Sequence, residues 1–269
     1  MPFADVGDLR MYVEMQGQGP RLLAISGTGG DLRRAGNVGP LAQQFTLLQY
    51  DQRGLGRTTI PDPPYTMEDY ADDAAALLDT LEWDHCAVMG TSFGGMVAQV
   101  LALRHPQRVD RLVLNCTSSG GAGRASYPLH TLDGLSPEDR FDHLLPISDT
   151  RRDQAWQDAH PDQVEALRLE ALANAAVSAK EPRRAIGATA QLQARAQLDA
   201  YDRLPELRMP VLVCGGRFDG IAPPANQDAL CRQIPQAELA MFDGGHAFLR
   251  QDPAALPRIA AFLLAESAS

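Results

Sequence analysis

Ser92 stands in the pentapeptide Gly90-Thr91-Ser92-Phe93-Gly94. Random placement of the chain's 23 glycines and 10 serines would give a Gly-x-Ser-x-Gly spacing only about 0.07 times in this length. The pentapeptide lies between an apolar run, Cys86–Met89, and a helical pattern, Phe93–Arg104, so the serine falls on a strand-to-helix turn. Gly90, Gly94 and Gly95 are small enough for the strained backbone of such a turn. The turn lifts the hydroxyl above the sheet. It also aims the first helix amides at any oxygen that gains negative charge there.

A serine hydroxyl is a weak nucleophile at neutral pH, so it requires a base, and the base requires an orienting carboxylate. Of the six histidines, His105 belongs to a helix stop and His85 leads into a strand. His130, His143 and His160 fall in a helix-rich stretch, where surface or capping positions suit them. His246 differs, because Asp243-Gly244-Gly245-His246-Ala247 is a flexible turn after the apolar run Glu238–Phe242. Chemistry gathers at the carboxyl ends of strands in open α/β sheets. Asp219 is the best-placed acid: it follows Val211–Cys214 and precedes the rigid Ala222-Pro223-Pro224. Asp228 lies inside a helical pattern, and Asp243 is too close to the histidine in sequence to reach its far ring nitrogen freely. The expected catalytic set is Ser92, Asp219 and His246.

The elements that position these residues alternate. Strands are expected at Met11–Met15, Arg21–Ser26, Phe45–Tyr50, Cys86–Met89 and Val109–Cys116. Thr66 opens a helix, with Asp69 approximating a capping box and an apolar face through Met67, Tyr70, Ala74, Leu77, Leu78 and Leu81. Continuous apolar strands separated by helices imply a parallel sheet covered on both faces. From Thr117 to Pro205 no strand candidate occurs, only Gly/Ser-rich loops and helical stretches such as Pro161–Lys180. Sheet grammar resumes with Val211–Cys214, a helix at Asn226–Gln233, Glu238–Phe242 and a closing helix from Pro253 to Leu264. The expected organisation is a core of 1–116 and 206–269 interrupted by an all-helical insertion, 117–205, too long for a plain loop.

Composition narrows the function. Hydrophobic residues at 45% and charged residues at 22% of 269 suit a globular chain. A net charge of −10, with Lys180 the single lysine, offers no footprint for nucleic acid. No apolar run is long enough to span a membrane, and no secretory leader is visible, so a cytoplasmic location is expected. The four cysteines form no C-x-x-C pair and mostly fall in buried strands. Gly27-x-Gly29 followed by Asp51 hints at dinucleotide binding, but Leu32 takes the third glycine position. No metal motif or phosphate-cradling loop occurs, so neither metal nor cofactor is expected.

The order Ser92, Asp219, His246 is that of α/β-hydrolases. Nearly the whole chain resembles a serine α/β-hydrolase, in particular the small bacterial esterase and lactonase branch of 3-oxoadipate enol-lactonases and aminoacrylate hydrolases. The matching segments are Ile25-Ser26-Gly27-Thr28-Gly29-Gly30, Tyr50–Gly56, the serine turn, Gly216–Pro224 and Gly244–Phe248. The resemblance implies an oxyanion hole from the backbone amides of Thr28 and Phe93, and a structural brace from Asp51 and Arg53. Ser26 stands where many relatives carry histidine, which alters the loop's support and leaves its amides intact.

The expected activity is cofactor-independent hydrolysis of a small carboxylic ester or lactone through an acyl-enzyme. The same triad also serves C–C, amide, carbamate and thioester hydrolysis, lyase and perhydrolase chemistry, and the fold also serves as a ligand receptor. The insertion is expected over the sheet's carboxyl edge as a lid. Its few aromatics, chiefly Tyr127, Phe141, Trp156 and Tyr201, predict a mostly aliphatic pocket. Arg151-Arg152 and Arg183-Arg184 offer a carboxylate site, but with 10 basic and 13 acidic residues over 120–205, solvated ion pairs are expected instead.

Overall fold

Side-chain alternation along the strands sorts the apolar residues into two layers. Leu23, Ile25, Leu48, Tyr50, Val88, Leu112 and Val213 face one cluster, while Leu22, Ala24, Leu47, Met89, Val113 and Leu212 face the other. Helices must therefore cover both faces of the sheet, as they do in the computed structural model, which describes residues 2–265 except 35, 37, 178 and 180. The chain begins β1 (Phe3–Val6), β2 (Leu9–Gln16), β3 (Arg21–Ile25), β4 (Thr46–Tyr50), α1 (Met67–Thr80), β5 (Cys86–Thr91), α2 (Phe93–Arg104) and β6 (Val109–Asn115). A helical insert follows, with α3 (Pro137–Ser148), α4 (Gln154–Ala159), α5 (Pro161–Ala176) and α6 (Arg184–Ala196). The chain closes with β7 (Val211–Gly216), α7 (Pro224–Gln233), β8 (Ala237–Phe242), α8 (Phe248–Gln251) and α9 (Ala255–Leu264).

The eight strands run in the order β1-β2-β4-β3-β5-β6-β7-β8, with β2 antiparallel to both neighbours and the rest parallel. The chain moves outward from β3 to β4, then returns to place β5 on the other side of β3. That reversal opens a crevice between the loops that follow β3 and β5, the usual ligand position in open α/β sheets. α1, α2 and α7 cover one face, and α9 covers the other. Thr66 caps α1 through the expected box, with the Asp69 amide 3.1 Å from its hydroxyl and the Asp69 carboxylate 2.8 Å from the Thr66 amide.

Two expectations change. The strand expected over Met11–Met15 is the second arm of a hairpin whose first arm is β1, joined through Gly7 at φ 57° and Asp8. The helix expected over Pro161–Lys180 ends at Ala176, and Lys180 itself lies outside the described residues. The insert is fastened unevenly. α6 docks backbone to backbone on the loop after β4, where a Cβ on Gly187 would lie 1.9 Å from the Gly54 carbonyl oxygen. α5 has no buried residue. Among the described residues no helix is long and apolar enough to cross a membrane.

Candidate active site

β5 runs directly into α2 through Ser92, which adopts φ 55° and ψ −115°. A side-chain-bearing residue in that region stores about 1–3 kcal/mol of strain, so its surroundings must enforce it. They do so from both sides: the Ser92 amide donates to the Asn115 carbonyl at 2.8 Å, and the Thr117 hydroxyl donates to the Ser92 carbonyl at 2.7 Å. The flanking glycines are required by contact. A Cβ on Gly90 would meet the Gly94 carbonyl oxygen at 2.2 Å, one on Gly94 the Ile25 carbonyl oxygen at 2.1 Å, and one on Gly95 the Thr117 side chain at 2.7 Å. Ser92 is 7% exposed, held at the head of α2.

His246 arrives from the loop after β8, with Nε2 3.0 Å from the Ser92 hydroxyl oxygen. Its Nδ1 lies 2.8 Å from Asp219 Oδ2. Asp219, 2% exposed in the loop after β7, uses its other oxygen to accept the amides of Ile221 at 2.8 Å and Ala222 at 2.9 Å. The carboxylate is thus oriented by backbone and cannot turn away from the ring. The two loops are stitched together, the Phe218 amide donating to the Gly244 carbonyl at 2.9 Å. The end of α3 clamps both: the His246 amide donates to Ser148 at 2.6 Å, and the Gly220 amide to Ile147 at 2.9 Å. Cys116 has its sulfur within 4.8 Å of the ligating atoms of Asp219 and His246. Complete burial pushes its thiol well up, and the Asp219 charge adds to this, so it is a neutral filler behind the pair. The rival acid, Asp243, is exposed and bound to Arg151.

The loop after β3 lies against the serine, a Cβ on Gly27 falling 3.4 Å from the Ser92 Cβ. The Thr28 and Phe93 amides have no hydrogen-bond partner among the described residues. The loop is held from below by Gln52, whose amide donates to the Ser26 carbonyl at 2.8 Å and the Ser26 hydroxyl at 3.2 Å. It is held from above by Gln191 of α6, whose Oε1 accepts the Gly29 amide at 2.7 Å. Asp51 braces the next turn, accepting the amides of Leu32 at 2.7 Å and Arg57 at 2.9 Å, and Arg53 pairs with Asp73 at 2.6 Å. Burial pushes the Asp51 carboxyl up against the pull of those amides.

A cavity of about 440 Å³ lies between α3, α5, α6 and this loop, reaching Thr28 and Ser148 beside the serine and histidine. Its apolar wall is Leu144, Leu145, Leu167 and Leu192 with one aromatic, Phe141. The arginines expected as solvated pairs divide. Arg151 pairs with Asp149 and Asp243, and Arg183 with Asp62, whereas Arg152 and Arg184 line the cavity. Arg183 caps α6 in left-handed backbone and Arg184 is its first helical residue, so their side chains diverge, while Arg151 and Arg152 part in the turn between α3 and α4. Gln191, Arg34, Gln52 and the Ile147–Ser148 clamp escaped the sequence reading. Gln191, Gln52 and the clamp act across long sequence separations with no motif of their own, while Arg34 reaches Gly29 only five residues away and had just its place beside the glycine loop to mark it.

An alpha/beta hydrolase fold model matches residues 20–253 of the chain. The chain belongs to the α/β-hydrolase fold family. One relative is the polyketide synthase ThaQ of Burkholderia thailandensis, 33% identical over 96% of this chain. The chain spans 12% of that much longer protein. A second, named a putative carbamate hydrolase RutD, from Agrobacterium fabrum, is 30% identical over 90% of this chain and 94% of its own length. Among solved structures, the enol-lactonase of Burkholderia xenovorans superposes with a TM-score of 0.80 at 24% identity, covering 98% of this chain and all of that one. At that identity the likeness is one of fold. As a member of this family the chain is an enzyme of hydrolase type.

Proposed function

We propose that this α/β-hydrolase cleaves a small carboxylic ester or lactone through an acyl-enzyme on Ser92. The observation that carries this reading is the unbroken chain from Asp219 to His246 to Ser92, at 2.8 and 3.0 Å, ending on a serine held in strained backbone. Ser92 Oγ attacks the carbonyl carbon as its proton passes to His246 Nε2, while Asp219 fixes the ring's tautomer and stabilises its positive charge. The carbonyl oxygen, now negative, takes the free amides of Thr28 and Phe93, the second strengthened by the helix it begins. His246 returns the proton to the departing alkoxide. It then takes one from water, whose hydroxide attacks the acyl carbon, and hands that proton to Ser92 Oγ as the acid leaves. The segment 117–205 acts as a lid that excludes bulk water and shapes the pocket. Triad, amides and one water account for every proton and charge in this cycle, so it calls for no cofactor.

The test is a fluorophosphonate label together with turnover of short-chain methyl esters. Ser92→Ala should lose the label and at least about 10⁴-fold in kcat with its thermal melt retained. Full turnover in that variant overturns the assignment. A carbamate is the second reading, favoured by the RutD relative at near full-length coverage. The cavity of about 440 Å³ exceeds what a bare carbamate fills, which supports the ester or lactone as our first reading.

A further inference from the structure

The cavity beside Thr28 is lined by four arginines, Arg34, Arg140, Arg152 and Arg184, and by one acid, Asp133. Arg34 follows the loop after β3 and Arg184 opens α6, yet both guanidinium groups converge on one atom, the Gly29 carbonyl oxygen, at 2.9 and 3.4 Å. Arg140 of α3 lines the same space and donates only to the Leu132 carbonyl, at 3.4 Å. Among the described residues neither Arg34 nor Arg184 forms a salt bridge, because the nearby acids, Asp31 and Glu181, are both bound by Arg33. Among the described residues Arg34 Nε and Arg184 Nη1 have no partner, and both atoms are closed off from water. This also holds for Nε2 of Gln191, a fully buried residue of the same wall. Burial pulls both guanidinium groups below the ordinary arginine value, and the charge of Arg34 pulls Arg184 further in the same direction. Arginine does not give up its proton, so the charge persists. Charged groups withdrawn from water are otherwise paired. Both side chains line the cavity, where an anionic group on a ligand would supply the partner that the described residues do not.

We propose that the substrate carries a carboxylate, bound by Arg34 and Arg184 a few bonds from the carbonyl that Ser92 attacks. This rests on the hydrolase reading above and names its substrate class. Gly29 adjoins Thr28, and successive Cα atoms are about 3.8 Å apart, so an anion on these groups lies roughly 5–8 Å from the oxyanion amide. Two or three carbons span that gap. A planar carboxylate also suits the flat guanidinium fork better than a single neutral dipole does. Half-esters of short dicarboxylic acids, or lactones bearing an acid side chain, fit this description.

The experiment compares monomethyl succinate and monomethyl glutarate with methyl butyrate and methyl pentanoate, by pH-stat on the full chain. The acid esters should show about 10- to 100-fold higher kcat/KM, the range charge-assisted hydrogen bonds supply. Arg34→Met and Arg184→Met should each cut that selectivity ratio by about tenfold. A loosened Gly29 loop lowers both ester types alike and leaves the ratio standing, so the ratio separates recognition from support. Should the variants fail to fold, competition on the wild type decides: succinate should inhibit and succinamide should not. A wild-type ratio at or below one, a ratio unmoved in both variants, or equal inhibition by succinamide overturns the proposal. Failure of the hydrolase reading looks different, with no ester turned over and no fluorophosphonate label. Calorimetric binding of succinate, lost in Arg184→Met, still reports the arginine site in that event.

Discussion

Gln191 ties the helical insert to the loop that carries the Thr28 amide, and its removal should be read in rate as well as in stability. It is fully buried, with Oε1 2.7 Å from the Gly29 amide. Gln191→Ala strips that amide of its acceptor, at about 1–3 kcal/mol, while removal of the unpartnered Nε2 gives a little back. At about 2–4 °C per kcal/mol for a domain of this size, the melt falls by several degrees. Deleting an oxyanion donor outright costs about 3 kcal/mol of transition-state stabilisation. Gln191→Ala frees the loop without deleting the donor, so kcat on methyl butyrate should fall by about 10- to 100-fold. Gln191→Glu keeps an acceptor at the same place and should restore much of that rate. Its charge also neutralises the neighbouring arginines, so the preference for acid esters should vanish. The assay is pH-stat kinetics with a circular-dichroism melt. An alanine variant with a lowered melt and wild-type kcat would refute the idea that the insert positions the oxyanion loop.

Other outcomes follow from single contacts. Asp219→Asn should keep the fold and lose about 10⁴-fold in kcat, since an amide can hold the imidazole in the wrong tautomer; near-normal turnover would sink the assignment of the acid. Gly94→Ala drives a methyl to 2.1 Å from the Ile25 carbonyl oxygen, so its urea midpoint should drop by the equivalent of about 1–3 kcal/mol or more, and an unchanged midpoint would contradict that packing. Burial alone would raise the Asp149 carboxyl, but hydrogen bonds from Arg151 outweigh it and hold the group below its ordinary value. A depressed folded pKa contributes stability above the unfolded value that is lost as pH falls through the folded one. Acid unfolding should therefore steepen below about pH 4, and Asp149→Asn should flatten that limb; identical acid limbs in both proteins would exclude the contribution.

The fold was legible wherever a local pattern dictates local structure. Strands buried on both faces read as continuous apolar runs, and α2 was bounded by the serine turn at one end and His105-Pro106 at the other. β1 escaped because four residues carry too little alternation, although Gly7-Asp8 is a hairpin signal. Ser92, Asp219 and His246 were readable because each sits at the carboxyl end of a strand, where little else explains a glycine-flanked polar residue. What lies above them was not. Gln191 meets Gly29 across 162 residues, and Arg184 differs from Arg183 only in which way a helix start turns it. No spacing rule encodes such meetings, since they depend on how the insert docks.

The insert's unequal fastening bears on how a substrate would enter the proposed site. At Gly187 and Gly54 two main chains touch, leaving no slack for α6 to tilt. α5 has no fully buried residue, so of the two helices it is the one whose displacement forfeits less burial. Arg184 belongs to the immovable margin. Under the proposed reading it would keep its station while the opposite margin yields, and so would be the first group to meet an anionic substrate.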